Sequence, residues 1–267
     1  MTTDYATSTG CAKTYLKAIS DAGFSHIHWC HQWNTDFVYA RCEIEQIRKW
    51  LAGYGLELLD LHGSMGPEKN WVSGHRYERL AGVELVKNRI DMAARLSGNV
   101  VIMHTGDAGQ LPQLHRSLDE IHPFAAERGV RIALENCRDF KTIRKICSEY
   151  GPDYIGLCYD SGHGNMQPDG LAQLESMKDR LISVHLHDND GTEDQHKIPF
   201  FGTVDWQALV RIIAGSSYRK CISLEAAMRN SCMKDETEFL ACAHTVAVKL
   251  TEMLKNVSVH GNGMARR

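Results

Sequence analysis

Six apolar runs in this chain each end in a residue that can bind a metal. They span residues 55–62, 99–104, 130–135, 154–160, 181–185 and 221–225 and end at His62, His104, Glu135, Asp160, His185 and Glu225. The last four of these follow one another at intervals of 25, 25 and 40 residues. Two Glu, one Asp and one His make an oxygen-rich set with a single nitrogen. Such a set suits Mn²⁺, Mg²⁺, Co²⁺ or Zn²⁺ and does not suit a thiolate-selective metal. One carboxylate at a strand end commonly caps the next helix or pairs with a neighbour. Three carboxylates and a histidine at successive strand ends would bury unpaired charge, and a cation removes that cost.

A second layer surrounds these four. His62 and His104 close the two runs before Glu135, His163 follows Asp160 in Asp-Ser-Gly-His, and Asp194 and His196 lie in the loop 191–202. His187 comes two residues after His185, so strand alternation puts it on the same side, with Asp188 next to it.

The runs themselves read as strands buried on both faces of a parallel sheet. SHIHWC, residues 25–30, adds a seventh. Helical spacing of apolar residues fills the gaps, over about 12–22, 44–54, 76–97, 111–129, 139–151, 170–178, 204–215 and 235–255, and Gly129 stands where a helix C-cap belongs. Alternating strands and helices imply parallel pairing with right-handed crossovers. Eight such units would close an α/β (β/α)8 TIM barrel, with the run endings gathered at its C-terminal mouth. Seven units are clear. The eighth strand has to lie in TTDYAT near the first residue, which is short and polar for a core strand. A doubly wound open sheet is the structural alternative, but the chain has neither G-x-G-x-x-G nor G-x-x-x-x-G-K-[ST]. The expected organisation is one barrel domain over 1–255 and a flexible polar tail over 256–267.

Composition narrows the function classes. The 267 residues are 43% hydrophobic and 24% charged, with a formal net charge of -3, so the basic footprint of a generic nucleic-acid binder is missing. No stretch approaches the apolar length of a membrane span, and the first residues lack the basic and apolar regions of a signal peptide. Nine cysteines, an odd number with no C-x-x-C pair, read as buried reduced thiols of a cytoplasmic protein, Cys147, Cys158 and Cys221 among them.

The motifs LEN at Glu135, YDSGH around Asp160 and His163, VHLHDND around His185 and SLEA at Glu225 occur in an order and spacing that resembles the xylose-isomerase-like barrel superfamily. That group holds sugar isomerases and epimerases, inosose-processing enzymes, dehydroshikimate dehydratases and endonuclease IV. The resemblance runs from about residue 12 to 255. It implies that Glu135, Asp160, His185 and Glu225 hold one divalent metal, Mn²⁺ or Zn²⁺ first, with Glu135 and Glu225 also exchanging a substrate proton. The metal would polarise a carbonyl and its neighbouring hydroxyl and so acidify the adjacent C–H on the way to an enediolate. The implied activity is isomerisation or epimerisation of a sugar, ketose or cyclitol. An inosose- or dehydroshikimate-dehydratase-like lyase shares that acidified C–H.

The endonuclease branch implies a rival, a multi-zinc phosphodiesterase. Its nine ligand types are present as His62, His104, Glu135, Asp160, His163, His185, Asp194, His196 and Glu225. Against it stand a short loop from His185 to Asp194, HLHDND in place of that branch's HLND followed by Ser-Lys, and no basic, DNA-inserting loop. Nucleic acid is therefore not the expected partner, and an unphosphorylated sugar or polyol is. Its oxygens would meet His62, His104, His163, His196 and Lys197, with Asn136 and Arg229 as further candidates. Trp29 and Trp33, in an aromatic segment with His31, Phe37 and Tyr39 and followed by Trp71, would wall the pocket or join copies of the chain in a homo-oligomer.

Overall fold

A computed structural model describes residues 1–137 and 140–264, with side chains as far as Val257. Six strands form one parallel sheet in sequence order: β1 (His26–Trp29), β2 (Glu57–His62), β3 (Val100–Met103), β4 (Arg131–Glu135), β5 (Ile155–Asp160) and β6 (Leu181–His185). Among the described residues nine α-helices accompany them: α1 (Lys13–Asp21), α2 (Arg41–Tyr54), α3 (Arg76–Arg95), α4 (Leu111–Glu127), α5 (Phe140–Glu149), α6 (Ser161–Asn165), α7 (Gly170–Met177), α8 (Trp206–Ala214) and α9 (Glu236–Met264).

Two short segments close the sheet on itself. Thr2 bridges His28 in parallel, and its N–H donates to Leu224 O at 2.8 Å. Leu224 in turn bridges Leu186 just beyond β6, with Leu186 N to Ser223 O at 2.8 Å and Glu225 N to Leu186 O at 3.0 Å. The segment TTDYAT thus takes the eighth strand position, as a single bridge instead of a full strand. The ring is completed at this side by isolated bridges and not by full ladders.

Burial splits the apolar residues into two layers. Ile132, Leu134, Leu157 and Tyr159 face outward into the large core under the helices, while Val100, Ile102, Ala133, Cys158 and Ile182 fill the barrel interior. Period-2 alternation then sends Glu135 and Asp160 inward, on the faces of Ala133 and Cys158. Two irregularities adjust this parity. Between β1 and β2 the register passes from Ile27↔Leu58 to His28↔Asp60, which leaves Leu59 extra. Between β5 and β6 it passes from Leu157↔Leu181 to Cys158↔Ser183, which leaves Ile182 extra. Each bulge lets an outward leucine (Leu58, Leu181) precede inward polar residues (Asp60 and His62; Ser183 and His185) on one strand.

The helix ends mostly follow the sequence signals. Gly129, at φ +63°, closes α4 by donating to Ala126 O at 3.1 Å. The start predicted for the fifth helix at Asp139 lies outside the described residues. α6 forms within Asp-Ser-Gly-His-Gly-Asn, where Asp160 caps it through Oδ1 and His163 N–H. α9 runs on to Met264, past Asn256 where the polar tail was expected, because extending an existing helix adds one hydrogen bond per residue fixed. Residues 265–267 of that tail lie outside the described part. Among the described residues no helix is long and apolar enough to cross a membrane. Among the described residues the cysteines are not uniformly buried as expected: Cys11, Cys42, Cys221 and Cys232 are exposed. Cys221 sits at the open end of its segment, which makes only one bridge.

Candidate active site at the barrel mouth

Glu135, Asp160, His185 and Glu225 meet at the mouth, with one ligand atom from each within 4.8 Å of the others. All four are buried. His185 Nδ1 stands 2.8 Å from Glu225 Oε2 and 3.4 Å from Glu135 Oε1, yet neither ring nitrogen of His185 makes a hydrogen bond. Donor atoms at such distances without an N–H directed between them are those that converge on one point, as ligands of a cation do.

The outer set gathers around them. His62 Nε2 and His104 Nε2 lie 3.4 and 3.2 Å from Glu135 Oε2, and the three side chains form a second close donor group. His163 Nδ1, buried and without a hydrogen bond, is 3.4 Å from Glu135 Oε1 and 3.5 Å from Asp160 Oδ1. Asp194 Oδ2 stands between His163 Nε2 at 3.3 Å and His196 Nε2 at 3.0 Å. His187 Nε2 contacts Asp160 Oδ2 at 2.9 Å, and its ring stacks on His196 at 4.0 Å. Trp33 covers this set, with ring centroids 4.9 Å from His62 and 5.7 Å from His104.

The loop that delivers Asp194 and His196 is braced by Asp188. Its two oxygens accept from Asn189 N, Val204 N, Phe200 N and Trp206 Nε1 at 3.0, 3.1, 2.9 and 2.8 Å. His196 takes φ +47°, a costly backbone conformation for a histidine, and is held there by Glu225 O at its Nδ1 and by Asp194.

Charge explains the protonation of the cluster. Burial alone would raise the Glu135 carboxyl, but His185, His104 and His163 outweigh it and hold it well below the usual range. Glu225 is likewise lowered, chiefly by His185, against burial and against the charge of Glu135. Burial would lower His185, His163 and His196, yet the surrounding acids raise all three, His196 to about 10 through Asp194 and Glu225. His185, His163 and His196 are thus drawn toward their protonated forms beside the carboxylates. A divalent cation fits this donor set because it would replace those protons with one centred charge and satisfy the unbonded ring nitrogens.

Several expected substrate contacts are placed elsewhere. Trp29 follows inward-facing His28, so alternation turns it outward. It is 1% exposed and donates from Nε1 to Tyr39 Oη at 3.1 Å, a core contact. Trp71 is buried and donates to His104 O. Asn136 is occupied in bracing Asp160, accepting from its N–H at 2.6 Å and donating to its carbonyl at 3.1 Å. Lys197 pairs its backbone with Asp188 and has its ammonium 3.8 Å from Asp190, and Arg229 is exposed on a 3-10 turn. Sequence reasoning missed His28, Asp60 and Ser183, which meet inside the barrel beneath Glu225. The signal was available: Asp60 and Ser183 each precede an inward histidine by two residues.

A closed parallel ring with helices outside and polar groups at its C-terminal mouth defines a TIM-barrel protein. The sequence profile of the xylose isomerase-like TIM barrel family matches residues 16–242, and the chain belongs to that family. The uncharacterized protein y4fM of Sinorhizobium fredii is 35% identical over 90% of this chain and 88% of its own length. Fructoselysine 3-epimerase of Shigella flexneri is 21% identical over 58% of this chain and 62% of its own. Among solved structures, an L-ribulose 3-epimerase aligns over 100% of this chain and 97% of its own, with TM-score 0.80 and 16% identity. A D-tagatose 3-epimerase-like protein aligns over 99% and 98%, with TM-score 0.73 and 20% identity. At these identities the structural likeness shows a shared fold.

Proposed function

We propose that this protein is a divalent-metal-dependent epimerase or isomerase of a small unphosphorylated ketose, sugar or cyclitol. The carrying observation is the buried convergence of Glu135, Asp160, His185 and Glu225 around unbonded ring nitrogens. The epimerases named above, similar in fold or in sequence, support the substrate class. A cation held by those four residues would polarise a substrate carbonyl and the hydroxyl beside it.

The protein's own groups then move the proton. Glu135 and Glu225 share one small site, so one carboxylate takes the proton from the carbon beside the carbonyl. The other returns it to the opposite face or to the neighbouring carbon. His62, His104, His163 and His196 surround the same space and would orient hydroxyls, while Trp33 presents an apolar wall to the C–H face of a sugar.

The test is to incubate the protein in D₂O with a panel of ketoses and cyclitols and with Mn²⁺, Co²⁺, Mg²⁺ or Zn²⁺. Deuterium should enter at the carbon beside the carbonyl, and chelation should stop it. If no member of the panel exchanges with any of the metals, the reading fails. The donor groups His62–His104–Glu135 and His163–Asp194–His196 favour a second reading, a multi-zinc phosphodiesterase. Three tightly held zinc ions with incision of an abasic duplex would establish it in place of the first.

A further inference from the structure

Beneath the four-donor set lies a histidine that the family resemblance does not include. His28 is fully buried on β1, and its Nδ1 is 2.8 Å from Asp60 Oδ1. The other oxygen of Asp60 accepts from Ser183 Oγ, so the carboxylate is fixed on both sides. A carboxylate only accepts, so Nδ1 carries the proton and Nε2 presents a lone pair. That Nε2 is buried without a hydrogen bond, 3.8 Å from Glu225 Oε1, and the ring lies 4.4 Å from that of His185.

A lone pair aimed at a carboxylate is unfavourable unless something positive lies between them. A ring that gives one N–H to a carboxylate and turns its free nitrogen toward other donors has the arrangement of a metal-ligating histidine. Ligands about 2.1 Å from one ion stand roughly 3 to 4 Å apart, and the His28–Glu225 separation falls in that range. His28, His185 and Glu225 also form a donor group of their own, within 4.8 Å.

We propose that His28 is a ligand of the metal centre: its Nε2, with His185 and Glu225, forms a divalent-cation position on the floor of the mouth. The proposal rests on the reading of Glu135, Asp160, His185 and Glu225 as a metal site, which it shares at two residues. Asp60 and Ser183 are the positioning residues that set the ring's tautomer and hold it in place.

The test uses Co²⁺ loaded into the full chain, read by visible absorption and by proton NMR. Ligation through Nε2 gives the Nδ1–H of His28 a contact-shifted resonance, slow to exchange because it is buried against Asp60. His28→Gln should remove that resonance, shift the cobalt absorption bands and weaken Co²⁺ binding by about tenfold or more. The wild-type spectrum is informative even if the variant does not fold, since ¹⁵N-histidine labelling counts the contact-shifted rings. A shifted ring set that lacks His28 overturns this proposal and leaves the four-donor site standing. A wild-type chain that binds no Co²⁺ overturns both.

Discussion

Replacing Asp188 with alanine should destabilise the whole barrel and not only its mouth. Asp188 is fully buried and its two oxygens accept four hydrogen bonds, which tie the segment from Asn189 to Trp206 back onto the end of β6. Two of the donors, Asn189 N and Trp206 Nε1, are buried, whereas the bonds to Phe200 and Val204 are partly exposed. A buried donor left without a partner costs about 1–3 kcal/mol, so Asp188→Ala loses about 2–6 kcal/mol if the two exposed donors rehydrate. For a chain of this size that corresponds to a fall in Tm of roughly 5–20 °C. Asp188→Asn keeps one accepting oxygen but turns an amide toward two N–H groups, and should recover at most half of the loss. Circular dichroism melts of the three proteins measure this directly. A fall below about 2 °C for Asp188→Ala would refute the argument that buried donors on this loop depend on one carboxylate.

Other outcomes follow from the same geometry. Glu135→Gln and Glu225→Gln should each lower turnover on any identified substrate by about 10²–10⁴-fold, seen in kcat and in deuterium wash-in; full turnover in either variant excludes that residue from proton transfer. Cation binding should weaken as pH falls, because His185, the one histidine of the four-donor set, is raised by Cys158, Glu225 and Glu135 against its burial and must shed its proton to become a ligand. Proton release on Zn²⁺ addition to a weakly buffered sample measures this, and affinity unchanged between about pH 6 and about pH 9 contradicts it. Gly162→Ala places a Cβ 2.0 Å from His187 Cε1, so it should displace that ring and weaken metal binding, checked by chelator competition. Burial pushes the Cys158 thiol up to about 12, so iodoacetamide at mildly alkaline pH should label the exposed Cys11, Cys42 and Cys232 and spare Cys158 in peptide mass maps.

The barrel and its metal-capable ring were legible in the residues because both depend on local periodicity. An apolar run long enough to be a buried strand, closed by a polar residue, locates a strand and its C-terminal end together. Glu135, Asp160, His185 and Glu225 are therefore readable without coordinates, as are His62 and His104, and all six meet at one mouth. What local pattern does not carry is parity around a closed ring. Trp29 looks like a pocket wall in an aromatic segment, but inward-facing His28 turns it into the core. The extra residues Leu59 and Ile182 shift which side chains face inward, and a bulge is a property of two paired strands, so neither strand records it alone. Asn136 reads as a substrate partner until the fold brings Asp160, 24 residues away, against both ends of its amide. The donor types and their order thus belong to the sequence. Which of them converge, and that His28 and Asp60 lie beneath Glu225, was decided by tertiary structure, because closing the ring makes neighbours of residues from β1, β2, β6 and the segment at Glu225.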